Sequence, residues 1–173
     1  GGTHLPDLTG TTPVFDDDEN PQEILFFVAN RGHHADIGGI AAGSMPPNST
    51  ELWQEGAAVE SFKMVKEGIF DEAGVVKILY DDPGQYPGCS GTRTLKDNIA
   101  DLKAAIAANK RGISLLSAMI KEYTWPVVKL YMSGIQDNAE ASVRELLKKF
   151  RVARSGLIPP HTEVGGRFQR LTK

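Results

Sequence analysis

The sequence predicts a mixed α+β fold. Short buried strands carry site loops rich in glycine and histidine, and a long antiparallel helical hairpin follows, the whole forming an incomplete domain. Three observations predict it. Two strand-like apolar segments within the first thirty residues are bounded by turn residues. A long stretch rich in Gly, Pro and Asn comes next, over 30–49. Two apolar stripes at helical spacing then occupy 97–150, separated only by Thr124-Trp125-Pro126.

The first strand, Thr11–Phe15, is short, rich in Thr and Val, and stops at the acidic run Asp16–Glu19. The second, Glu23–Ala29, is a continuous apolar run, the pattern of a strand buried on both faces. The acidic run with Asn20 and Pro21 suits a hairpin connection. A solvated turn is its simpler reading, because it lacks the alternating ligands and distal Glu of a calcium loop. The stretch that follows is expected to be an ordered functional loop, because a buried strand feeds straight into it.

Ala57–Lys66 is expected to be a further strand, with Val59, Phe62 and Val65 as its apolar members. Phe70–Tyr80 reads as a short helix, and 81–88 as a loop broken by two prolines and two glycines. From Asp97 to about Tyr123, the positions Ile99, Leu102, Ile106, Asn109, Ile113, Leu116 and Ile120 share one helical face. Asp97 is suited to cap its start. Gly112 weakens the helix by about 1 kcal/mol, too little to split it. Pro126 suits the first turn of a second helix, which runs to about Phe150. A short turn between two such helices predicts an antiparallel pair. Residues 151–173 are basic, lack periodicity and read as a divergent tail.

Nineteen basic against twenty-two acidic side chains give a net charge of −3, which argues against a nucleic-acid binder. No apolar run approaches the roughly 20 residues that span a bilayer, so no membrane partner is expected. The single cysteine, Cys89, cannot form an internal disulfide, which points to a reducing compartment and the cytoplasm. The opening Gly-Gly-Thr-His, without an initiator Met, reads like the middle of a longer protein, so the chain is expected to be a fragment.

Three of four histidines fall within the first 34 residues: His4, His33 and His34, with Asp7 and Asp36 nearby. Imidazole and carboxylate together suit Zn, Mn or Fe. Pro6 disfavours a helix between His4 and Asp7, so loop geometry must bring them together. A hairpin joins its outer ends, which places His4, before the first strand, beside His33, after the second. The plainer alternative is that each histidine only hydrogen-bonds within a loop. Gly88–Arg93 leads toward a helix N-terminus where an anion could bind, although a plain loop-to-helix turn is the simpler reading. Cys89 and Ser44 lack the neighbours of a nucleophile, and no Walker phosphate loop is present.

The motifs Gly-Gly-Thr-His-Leu-Pro-Asp (1–7), Asn-Arg-Gly-His-His-Ala-Asp-Ile-Gly-Gly (30–39), Gly-Ser-Met-Pro-Pro-Asn-Ser (43–49), Gly-Thr-Arg-Thr-Leu-Lys-Asp-Asn-Ile-Ala-Asp-Leu-Lys-Ala (91–104) and Ile-Gln-Asp-Asn-Ala-Glu (135–140) resemble the hydantoinase B family over residues 1–150. Where Lys-Ala-Gln-Ile would be expected, the chain has Lys103-Ala104-Ala105-Ile106, and 151–173 leaves the pattern. The wording is most similar to the fungal type of ATP-dependent 5-oxoprolinase. The resemblance implies a hydrolase that opens 5-oxo-L-proline to L-glutamate, with N-methylhydantoinase or acetone-carboxylase-type subunits as alternatives. It implies a divalent metal (Mn, Zn or Mg) on His4, Asp7 and His33. His34 and Asp36 become catalytic-site groups, as supports of the ligands or as proton carriers. ATP would be bound by a hydantoinase-A-like domain or subunit, the partner of this region, and the complete protein is expected to be an oligomer. The family's B region is several times longer than this chain. A truncated, inactive chain that only binds a partner is therefore the remaining alternative.

Overall fold

A computed structural model describes residues 4–15 and 23–153. Two strands, β1 (Asp7–Phe15) and β2 (Ile24–His33), pair antiparallel with Asp7 opposite His33 and Val14 opposite Phe26. Both strands extend beyond the apolar segments, because the polar residues at the open end continue the ladder. The acidic connection expected at 16–19 lies outside the described residues.

The ribbon is covered on one face, not two. Val14 and Phe26 are buried and Leu8, Gly10, Thr12 and Val28 are half-buried, while Phe27 on the other face is 60% exposed. The covering element is a long helix, α3 (Leu95–Tyr123), and the contact is polar as well as apolar. Buried Asn109 donates to the Gly10 and Val28 carbonyls and to Thr12 Oγ1, and accepts from Asn30 Nδ2 at 2.8 Å. Gly112 permits the close approach, since a Cβ there would lie 3.1 Å from Val28 Cγ1. Asn30 Nδ2 also donates to Ala105 O at 2.8 Å, so replacing Asn109 by Leu leaves one of its two N–H groups without an acceptor and removes the donor to the ribbon; it is expected to lower stability by about 1–3 kcal/mol. A urea midpoint that does not move would show that this amide does not hold the ribbon to the helix.

A small core gathers Ile37, Ala57, Val75 and Leu79, with Leu5, Phe62, Met64, Ile99 and Leu102 packed against it. The expected strand over 57–66 is absent as such. Only β3 (Val65–Lys66) pairs, with β4 (Ile69–Phe70), and Val59 is exposed. The apolar spacing at 59, 62 and 65 is three, which puts no single face of a strand toward the core.

The helix expected at Phe70–Tyr80 starts instead at Glu72. Asp71 caps α1 (Glu72–Val76) by accepting from Gly74 N at 2.9 Å. The helical path then continues through a wide turn, Lys77–Asp81, into α2 (Asp82–Gly84), where a loop is expected from the prolines. Pro83 is tolerated for a definite reason. Proline cannot donate to the carbonyl one turn back, and Leu79 O accepts instead from Thr92 N at 2.8 Å.

The start of α3 precedes Asp97 by two residues. Thr94 O accepts from Asp97 N and Asn98 N, so Asp97 lies inside the first turn and not at the cap. Thr124, at φ 69°, separates α3 from α4 (Trp125–Ala153), and Pro126 stands in the first turn of α4. The described residues divide into two compact units, with the boundary between Ala118 and Met119. In the second, Val128 is buried while Leu130, Tyr131 and Ile135 are exposed. The tail from 154 onward lies outside the described residues.

Candidate metal centre

At the open end of the hairpin, a turn over His4–Asp7 folds back on the ladder. Asp7 N donates to His4 O, and His34 N donates to Pro6 O at 3.0 Å, which extends the pairing one step past β2. Pro6 is buried at this turn. The turn sets His4 Nδ1 3.0 Å from Asp7 Oδ2. A carboxylate at Nδ1 leaves the lone pair of neutral His4 on Nε2. That atom faces His33 Nε2 at 2.9 Å. One ligand atom from each of His4, Asp7 and His33 lies within 4.8 Å of the others.

This donor set fits a transition-metal ion. Two nitrogens held about 2.0–2.1 Å from one cation lie roughly 2.9–3.4 Å apart for bond angles between 90° and tetrahedral. Two imidazoles with one carboxylate favour Zn or Mn over Mg, which prefers oxygen.

His33 and His34 point in opposite directions, as consecutive residues of an extended chain do. His33 is exposed toward His4, whereas His34 is only 4% exposed and turns inward to α3. There Asn98 Nδ2 lies 3.0 Å from His34 Nδ1 and donates to Asp36 O at 2.9 Å. Thr92 Oγ1 lies 2.6 Å from Asn98 Oδ1 and 3.0 Å from Asp36 O. Burial lowers the His34 pKa, the Asp101 carboxylate acts in the opposite sense, and His33 adds a smaller lowering.

Asp36, also buried, is saturated with donors. Oδ1 accepts from Gly38 N and Arg93 N, and Oδ2 accepts from Gly43 N and Arg93 Nη1. Burial alone would raise its pKa, but these hydrogen bonds outweigh it and hold the carboxyl below the ordinary range. The guanidinium of Arg93 also donates to the carbonyls of Ala41 and Gly39. It is therefore spent on the loop and does not wait for an anion, contrary to the open reading of Gly88–Arg93. Ser44 is a loop staple, donating to Gly38 O and accepting from Ile37 N. Cys89 Sγ contacts Trp53 O at 3.6 Å, with no base beside it among the described residues.

The supporting roles of Thr92, Arg93 and Asn98 are absent from the sequence reading, because they act across more than fifty residues. One signal was available. Asn98 and Asn109 lie about three helical turns apart, so both fall on the apolar face of α3, where a polar side chain needs a buried partner.

Residues 1–157 match the family model described as Hydantoinase B/oxoprolinase. The chain belongs to this family. It is 53% identical over 149 residues to a 5-oxoprolinase of Saccharomyces cerevisiae, covering 86% of this chain and 11% of that protein. It is 50% identical over 155 residues to 5-oxoprolinase 1 of Arabidopsis thaliana, covering 86% and 12%. It is 25% identical over 147 residues to the caprolactamase subunit beta of Pseudomonas jessenii, covering 85% and 23%. The chain thus spans about a ninth of the length of the 5-oxoprolinases it matches. No solved structure matches it. No helix among the described residues is long and apolar enough to cross a membrane.

Proposed function

We propose that this chain carries the metal-assisted amide-hydrolysis site of an ATP-dependent 5-oxoprolinase, converting 5-oxo-L-proline, ATP and water to L-glutamate, ADP and phosphate. The observation that carries the reading is the convergence of His4, Asp7 and His33 at one end of the hairpin. The relatives' names point the same way, since 5-oxoproline and caprolactam are both lactams. His4, Asp7 and His33 would hold a divalent ion. When bound, such an ion polarises the lactam carbonyl or lowers the pKa of a water. Buried His34 and the saturated carboxylate of Asp36 then hold the ligand loop, which is the support role of the two open to them. ATP would be handled by a hydantoinase-A-type domain or subunit, in a cytoplasmic, oligomeric enzyme.

A second reading is a chain that is itself inactive and only docks to a partner. It is favoured by the exposed apolar side chains of α4, Leu130 at 71% among them. Metal content of the purified chain, by elemental mass spectrometry, separates the two. The expected result is about one ion per chain, of Zn or Mn, lost in His4→Ala. A folded wild type that binds neither ion when supplied overturns the metal assignment and favours the docking reading.

A further inference from the structure

The two histidines at the end of β2 have different work, and Asn98 divides it. The amide of Asn98 has only one orientation that satisfies its surroundings. The carbonyl of Asp36 can only accept, so the atom 2.9 Å from it must be the NH2 group. The amide oxygen then faces Thr92 Oγ1 at 2.6 Å, and the single hydroxyl proton goes to this nearer acceptor. The second amide N–H is left for His34 Nδ1 at 3.0 Å. A nitrogen that receives an N–H carries no proton, so the ring is neutral and its proton is on Nε2.

The same amide therefore grips the side chain of residue 34 and the backbone of residue 36. These lie one and three residues after the candidate ligand His33. Arg93 fixes the same stretch through the carboxylate of Asp36. His33 stands at the last pair of β1 and β2, and past it only the bond from His34 N to Pro6 O continues the pairing, so the direction of its ring depends on what else holds the chain that follows. We propose that Asn98 is a positioning residue of the metal centre: by holding His34 as the Nε2–H tautomer and tying down Asp36 O, it aims His33 at His4. The tautomer rests on the hydrogen-bond geometry alone. The consequence for the metal rests on the proposed function.

Two measurements test it. The first is ring-15N histidine NMR of the full chain without metal, resolved for His34 by comparison with His34→Gln. The expected signature is a bare Nδ1 and a protonated Nε2, and the reverse would overturn the proposal. The second is calorimetric titration with Zn2+ of wild type, Asn98→Ala and the milder Thr92→Val. The expected loss of affinity is roughly 10–100-fold for Asn98→Ala, the range for groups that orient ligands. A smaller loss is expected for Thr92→Val, which remains informative should Asn98→Ala fail to fold. Wild-type affinity in a folded Asn98→Ala overturns the positioning role while leaving the metal site standing. A wild type that binds no Zn2+ but shows the Nε2–H tautomer keeps the hydrogen-bond assignment and removes the metal reading instead.

Discussion

Asp36→Ala is expected to destabilise the chain by about 3–5 kcal/mol, the cost of removing one partner from a buried, hydrogen-bonded ion pair. Four donors converge on this carboxylate, three of them backbone N–H groups of Gly38, Gly43 and Arg93. Removal leaves those donors without their acceptor. Arg93 is about one-third exposed, so water recovers part of its loss and places the effect at the lower end of that range. Asp36→Asn keeps the shape but turns an NH2 group toward the donors at Oδ2, Gly43 N and Arg93 Nη1, and should also be destabilising. The pH dependence has a definite sign. The folded carboxyl is held below its ordinary pKa, so its contribution is complete above the ordinary carboxylate range. It is lost as pH falls through the lower folded value. Urea midpoints of wild type and Asp36→Asn should therefore differ most at neutral pH and converge on the acid side. A constant difference would show that the charge of Asp36 is not what holds the loop.

The hairpin end was legible because antiparallel pairing is local bookkeeping. Two strand-like segments joined by a turn bring their outer ends together, whatever the exact strand limits. His4 and His33 follow from that, even though the strands proved longer and covered on one face only. The opposite directions of His33 and His34 also follow from a period of two, yet the burial of His34 does not, because its partner Asn98 is supplied by α3. The continuation of the helical path through Pro83 was hidden for the same reason. Local rules read proline as a break, and the carbonyl it cannot serve is satisfied by Thr92, a residue from the far side of the next loop. The strand expected over 57–66 failed for a simpler reason. Val59, Phe62 and Val65 are spaced by three and so do not share one face of a strand. In the candidate site, His4, Asp7 and His33 stand out in the sequence as scarce residue types that can share a cation, whereas Asp36 stands out only as a carboxylate. Its role depends on Arg93, which sequence distance conceals.

Gly39→Ala is expected to cost about 2–5 kcal/mol, and the reason lies in crossing backbones. Gly39 has φ 92°, where an L side chain loses roughly 1–2 kcal/mol. A Cβ would also stand 2.5 Å from Gln54 O and 2.8 Å from Gly56 N, and forced overpacking adds about 1–3 kcal/mol. These neighbours are main-chain atoms and cannot rotate away. Nor can Gly39 retreat, because it exchanges hydrogen bonds with Ser90 in both directions, at 2.9 and 3.2 Å, and accepts from Arg93 Nη2 at 3.0 Å. Displacing Gly39 pulls on Arg93, hence on Asp36, and hence on the stretch that follows His33. The substitution should therefore weaken Zn2+ binding as well as lower the urea midpoint. Gly88→Ala is the matched comparison. Gly88 also has a positive φ, 75°, but open space around its missing Cβ, so it should lose only the conformational part, about 1–2 kcal/mol, with Zn2+ affinity unchanged. Equal losses in the two variants would mean that backbone crowding at Gly39 contributes nothing, and that the loop is not the rigid link between Arg93 and the histidines.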